Sequence, residues 1–195
     1  MTDYPIDYLT ELREQKDDEF KNSMQSPLTP EQRQLFSGLR YFEPKPALEF
    51  IAKPEEFADK PEVRFITTQN EIKHFQRWGQ MQFTVDGVAL TLTLYSSQNS
   101  ALFFVPFTDM TTGNETYSAG RYIEPEPQTD GTIRLDFNEA YNPYCAYNEP
   151  DYLAAQAQRT PRIWNCALPL PENRLSVAID AGERMPEGAW VRAEH

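Results

Sequence analysis

Between Phe107 and Glu183 the sequence crowds polar and aromatic residues into short clusters that could do chemistry. Arg121, Asp136 and Asn138 stand near the ends of two predicted strands. An arginine so placed can clamp a carboxylate or phosphate through parallel hydrogen bonds, while Asp136 and Asn138 orient the guest. The same three can also satisfy one another, because a buried arginine needs several acceptors and strand-end carbonyls supply them. On pattern alone that structural use ranks ahead. Tyr141, Tyr144 and Tyr147 share one short stretch, turned by Asn142-Pro143. They can stack on a sugar or flat ring, or plug the end of a barrel with their hydroxyls satisfied on the rim. The second use ranks slightly ahead.

Cys145 and Cys166 form no Cys-x-x-Cys, and the only histidines are His74 and His195, so no metal site is expected. Buried thiols are the leading reading of the two cysteines, since free cysteine packs as a small hydrophobe. A reversible disulfide comes next, and nucleophilic use of Cys145, with His74 approaching in the fold, comes last. Asp109, Glu115, Asp136, Glu172 and Glu183 lie in the same region, and two facing carboxylates could act as acid and base in hydrolysis. Glu172-Asn173 follows the stiff Pro169-Leu170-Pro171, which suits a placed catalytic group or a loop tied to backbone amides. A phosphate-cradling glycine loop, a dinucleotide fingerprint, a G-x-S-x-G elbow and an H-E-x-x-H are all missing. Nucleotide hydrolysis and serine-esterase chemistry are therefore disfavoured, and no cofactor is expected.

These residues must be positioned by the elements around them. From Ile6 to Met24, Leu9, Leu12, Phe20 and Met24 recur near helical spacing among charges, predicting an amphipathic helix laid on another surface. Thr29-Pro30-Glu31-Gln32 predicts a second, short helix: Thr29 as N-cap, Pro30 at the first position, Gln32 closing a capping box, and Gly38 near the end. Beyond Tyr41 the period becomes 2. Leu48, Phe50 and Ala52 alternate with polar residues, as do Met81 to Val85 and Val88 to Leu94, and Asp86-Gly87 between the last two is a strong hairpin signal. Further strands are predicted at Val63–Thr68, Ile72–Trp78, Leu102–Phe107, Arg121–Glu124, Thr132–Phe137 and Leu175–Asp180, with a helical turn or two at Asp151–Gln158. The expected fold is mainly β (α+β), an antiparallel barrel or sandwich behind one or two N-terminal helices. One domain over 1–195 is expected, with the helical segment 1–40 packed on 41–195.

Composition agrees. Twelve Phe and ten Tyr in 195 residues suggest a core packed with rings, which suits sheets better than helix bundles. The net charge is −12, and no lysine follows Lys73. Such a surface repels a phosphate backbone, so nucleic acid is not an expected partner. The longest apolar run, Ala101 to Phe107, is far shorter than the roughly 20 residues a membrane helix needs, so no membrane is expected either. With no basic-then-apolar leader and only two cysteines, the cytoplasm is the expected compartment, where the sequon Asn114-Glu115-Thr116 counts for little.

The clusters also read as phrases in fixed order: Pro106-Phe107 with Asp109, Thr112-Gly113 with Glu115-Thr116-Tyr117, and Gly120-Arg121-Tyr122. Asp136-Phe137-Asn138, Ala140 to Pro143 and Cys145-Ala146-Tyr147 follow. Cys166 with Leu168-Pro169, then Glu172-Asn173 and Ala181-Gly182-Glu183, complete the order. With Ser26-Pro27-Leu28 and Gly38-Leu39-Arg40-Tyr41-Phe42 upstream, this pattern resembles the bacterial and archaeal family known as domain of unknown function 1684, over nearly the whole chain. Ala167 departs from it, standing where proline is usual. The resemblance implies no activity. Three readings follow, in rank order. The first is a small-molecule-binding β-domain with a pocket of Arg121, Tyr122, Asp136, Asn138, Asn142 and Tyr147, to which Cys145, Glu172 and Asn173 are further candidates. The second is a structural or interaction module whose signature residues pin loops. The third is a hydrolase or lyase using paired carboxylates or Cys145. A small-molecule ligand is the expected partner, and the oligomeric state stays open.

Overall fold

A computed structural model of the chain describes residues 4–68, 70–97, 102–148 and 166–191. The Asp151–Gln158 stretch and His195 lie outside the described residues. Helix α1 spans Ile6–Asn22 and buries Leu9 and Phe20. Met24 falls beyond the helix and is 85 % exposed, so the apolar stripe is one residue shorter than its spacing suggests. Helix α2, Pro30–Leu35, starts at the Thr29 capping box, with Thr29 and Gln32 bonded reciprocally. Phe20 packs with Leu28 and Phe36 against Ala146, Tyr147 and Trp190 from the far end of the chain. Asp17 accepts the Leu39 N–H at 2.9 Å, tying α1 to the segment that leads into the sheets.

Among the described residues nine strands follow: β1 Glu49–Ala52, β2 Glu55–Glu56, β3 Glu62–Ile66, β4 Ile72–Val85, β5 Val88–Ser96, β6 Phe103–Phe107, β7 Arg121–Ile123, β8 Glu126–Pro127 and β9 Ile133–Asp136. One antiparallel sheet runs β2-β4-β5-β6-β7, with β3 also paired to β4; a second, smaller sheet runs β1-β9-β8. The two predicted strands Ile72–Trp78 and Met81–Val85 are one long β4, irregular in its pairing to β5 between Arg77 and Gly79. Val85 pairs Val88 across the Asp86-Gly87 turn. Both turn residues have positive φ, 49° and 79°, the backbone that matches the right-handed twist of a two-residue hairpin.

The sheets do not close into a barrel and are arranged like a sandwich. Their shared core takes Met81, Leu92, Leu94, Val105 and Phe107 from the larger sheet, and Ile133 and Leu135 from the smaller. Each such side chain stabilises by about 1.5–3 kcal/mol when fully buried. Leu175, Ile179 and Ala181 also enter this core, but Leu175–Asp180 is not the strand its alternation suggests. The backbone there bonds instead to loop groups and to a guanidinium, described next.

Candidate functional site

Arg121 lies at the start of β7 and is 1 % exposed. Its Nη2 donates to Asp109 Oδ2 at 2.8 Å and to the Ile179 carbonyl at 2.7 Å. Its Nη1 donates to the carbonyls of Ala181 and Glu183. Burial lowers the Arg121 pKa, with Asp109 opposing. Asp109 is itself held by Thr111, whose N–H donates at 2.6 Å and whose hydroxyl donates at 2.5 Å. The guanidinium thus serves three carbonyls of one segment, which is also bridged to Tyr41 at Glu183, and Arg121 does not line the cavity described below.

Asp136 and Asn138 meet each other but not Arg121. Asp136 accepts from Arg134 at 2.6 Å, from Tyr4 at 2.7 Å and from the Asn138 N–H at 2.9 Å. Asn138 brackets Lys45, accepting its N–H at 2.7 Å and donating to its carbonyl at 2.9 Å. Asn173 does the same for Thr93, with a further bond to the Pro106 carbonyl. Asn142 donates its backbone N–H to Glu183 and its side-chain amide to the Arg184 carbonyl. Tyr147, 1 % exposed, donates its hydroxyl to the same Glu183 oxygen at 2.6 Å. The expected convergence of Arg121, Asp136 and Asn142 on one hollow is corrected: each is committed to loop backbone or to a neighbouring side chain.

The paired-carboxylate reading loses its carboxylates. Asp109 pairs with Arg121, Asp136 with Arg134, Glu172 with Arg77, Glu183 with Lys16 and Glu115 with Arg184. Burial raises the Glu172 pKa, but hydrogen bonds from Arg77 and Tyr95 outweigh it and hold the carboxyl below its ordinary value. The expectation of buried free thiols is also corrected, because Cys145 and Cys166 are joined in a disulfide, 6.5 Å apart at Cα. That removes Cys145 as a resident thiolate nucleophile. His74 does not approach it; its Nδ1 lies 2.8 Å from Glu62 on an exposed stretch of β4.

A cavity of about 640 Å³ opens elsewhere, lined by Lys16, Lys73, Phe75, Phe104, Tyr122, Tyr141, Pro143, Tyr144, Cys166 and Ala167. Of the residues singled out in the sequence, Tyr122, Tyr141, Tyr144 and Cys166 line it, and Cys145 adjoins it through its bond to Cys166. Its walls follow from sheet register. Tyr122 on β7 exchanges backbone hydrogen bonds with Tyr141 at 2.8 and 2.9 Å, which brings their rings edge to face at 5.8 Å. Phe104 on β6 sits 4.8 Å from the Tyr122 ring and stacks on Phe75 of β4 at 5.3 Å. Lys73 lies two residues before Phe75, and so on the same face of β4. Ala167 joins this wall through its bridge to Thr67, and its carbonyl accepts the Tyr122 hydroxyl at 2.8 Å. Lys16 descends from α1, its ammonium on Glu183 and 4.6 Å from the centre of the Tyr141 ring.

Burial pushes the Tyr122, Tyr141 and Tyr144 pKa values up; Tyr117, Glu124 and Glu19 respectively add to it. All three phenols therefore stay protonated at neutral pH and offer no base. Lys16, Lys73, Phe75 and Phe104 escape sequence reasoning because each stands in an ordinary strand or helix pattern, far from the polar phrases. The cue available was the contrast between a chain of net charge −12 and two lysines whose neighbours at helical or strand spacing, Phe20 and Phe75, are rings.

A model of the family described as "Protein of unknown function (DUF1684)" matches residues 34–184. The solution NMR structure of an uncharacterized protein from Haloarcula marismortui is similar, with 34 % identity, a TM-score of 0.67 and 100 % of each chain covered. No curated protein matches. Among the described residues, no helix is long and apolar enough to cross a membrane.

Proposed function

We propose, on the premise that the chain belongs to the DUF1684 family, that it binds a small molecule with a flat apolar body and an anionic group in the cavity of Tyr122 and Phe104. One observation carries this reading: five aromatic rings and two lysines line the cavity with no carboxylate among them, in a protein of net charge −12. A volume of several hundred Å³, mostly apolar with a few polar groups, is the usual form of a small-molecule site. Rings supply the area, and Lys73 adds positive charge at the wall, whereas Lys16 is already held by Glu183. The phenols are donors, so the site suits binding rather than proton transfer. The expected compartment remains the cytoplasm, a reducing one, in which the Cys145–Cys166 bond would form and break.

The test uses 1-anilinonaphthalene-8-sulfonate and its uncharged relative N-phenyl-1-naphthylamine, titrated by fluorescence against native protein. Lys73 is exposed, so Lys73→Glu should leave the fold intact. A unit charge at about 4 Å in water is worth about 1 kcal/mol, so reversing the sign should weaken the sulfonate by about tenfold to thirtyfold at low salt. The uncharged probe should bind both proteins alike. A native protein that binds neither probe, or a sulfonate indifferent to Lys73→Glu, refutes the reading.

A further inference from the structure

The disulfide stands in the cavity wall, and its surroundings distinguish its two sulfurs. Cys166 lines the cavity, whereas Cys145 does not. The two sit with Tyr122 in one buried cluster edged by Phe104 and Tyr141. The Thr68 hydroxyl accepts the Cys166 N–H at 3.3 Å and lies 3.3 Å from Cys145 Sγ. A sulfur in a disulfide carries no proton, so in this contact Thr68 is the donor. The same hydrogen bond strengthens when Cys145 becomes a thiolate, because donation to the charged form favours that form. Cys145 is thus built as a leaving group, and Cys166 is the cysteine that belongs to the cavity wall.

We propose that this cavity is a thiol–disulfide exchange site for a low-molecular-weight thiol bearing carboxylates, and that Cys166 takes the mixed disulfide. The proposal rests on the binding reading above and names the class of ligand. The thiolate of the ligand attacks Cys166 Sγ and a new sulfur–sulfur bond forms between them. The Cys145–Cys166 bond breaks, and its electron pair departs on Cys145 Sγ, which the Thr68 hydroxyl receives as a thiolate. Return attack by Cys145 on Cys166 expels the ligand thiolate and restores the starting state. Attack by a second ligand thiolate on the ligand sulfur instead releases the symmetric ligand disulfide and leaves Cys166 as a thiolate. Two ligand thiols are then oxidised by two electrons, and the protein disulfide is reduced by two. Lys73 favours an anionic thiol over a cationic one in the same wall. Rate follows the stability of the leaving thiolate, which is where Thr68 acts.

The experiment treats native protein with glutathione or with cysteamine, quenches with acid, and reads the adduct by intact mass and peptide mapping. The expected result is one glutathionyl group on Cys166, with Cys145 free. Per unit of thiolate, glutathione should react about tenfold faster than cysteamine at low salt, and Lys73→Glu should abolish that preference. Thr68→Val should slow both thiols by about tenfold, with its melting temperature checking that the fold persists. An adduct on Cys145, an even split between the sulfurs, or a rate indifferent to Thr68→Val overturns the proposal. Probe fluorescence on the same preparation separates the two failures. Sulfonate binding without a Cys166 adduct sinks exchange alone, and absence of sulfonate binding sinks the cavity reading beneath it.

Discussion

Replacing Arg121 by methionine should cost about 4–6 kcal/mol of folding stability. The change keeps an apolar stem and removes the head. It strands Asp109, whose side chain is 0 % exposed, and breaking a buried pair in this way costs about 3–5 kcal/mol. Three carbonyls, those of Ile179, Ala181 and Glu183, lose their donor as well. Each would cost about 1–3 kcal/mol if it stayed dry, but the segment can shift to admit water, so only part of that adds. Urea unfolding followed by tryptophan fluorescence measures the loss, at a constant dependence on denaturant. Asp109→Asn in the same background removes the stranded charge, and the double variant should be milder than the sum of the singles by about 2 kcal/mol. Arg121→Lys keeps the charge and gives a folded reference should the methionine variant fail to fold. A loss below about 1 kcal/mol for Arg121→Met, or strict additivity with Asp109→Asn, would refute the assignment of Arg121 as a structural hub.

Asn173→Ala removes three buried bonds to Thr93 and Pro106 and should cost about 2–4 kcal/mol, with faster hydrogen exchange at the Thr93 amide. Gly182 has φ +75°, and a Cβ there would meet the Ala140 carbonyl at 2.5 Å and the Phe137 carbonyl at 2.7 Å. Gly182→Ala should therefore lower stability by at least about 2 kcal/mol in the same urea assay. Glu172 has a folded pKa below its ordinary value, so its contribution is present above the unfolded value of about 4.3 and fades as pH falls through the folded one. Acid titrations of stability should show wild type and Glu172→Gln farthest apart near neutrality and converging in acid.

Local rules were legible wherever the determining contacts lie within a few residues. Thr29 and Gln32 cap α2 because the capping box needs nothing beyond itself, and Asp86-Gly87 turns β4 into β5 for the same reason. The alternation at Leu175–Asp180 misled because period 2 records which side chains are buried, not which groups take the backbone bonds. There Leu175 and Val177 bond to the backbone of Thr108 and Met110, and Arg121 takes the Ile179 carbonyl, so no regular strand forms. The signature residues stood out as polar groups in an aromatic chain, and the structure uses that polarity to tie loops: Asn138 on Lys45, Asn173 on Thr93, Tyr147 on Glu183. The cavity was hidden because its walls come from α1, β4, β6, β7 and the residues around Pro143 and Ala167, each unremarkable in its own stretch. Cys145 and Cys166 were read as thiols because their pairing depends on Thr67 and Ala167 meeting across the fold, which no spacing announces.

The guanidinium that gathers Ile179, Ala181 and Glu183 also sets an order of events during synthesis. Ala181 follows Arg121 by 60 positions, so a ribosome delivers the cation long before most of its acceptors exist. Until they emerge, Arg121 has only Asp109, and Phe107 and Leu135 lack the covering of Ile179 and Ala181. The sheets can pair as they appear, but the interior seals only when this late segment arrives. A chain halted before Ile179 would hold all nine described strands and still leave its centre wet.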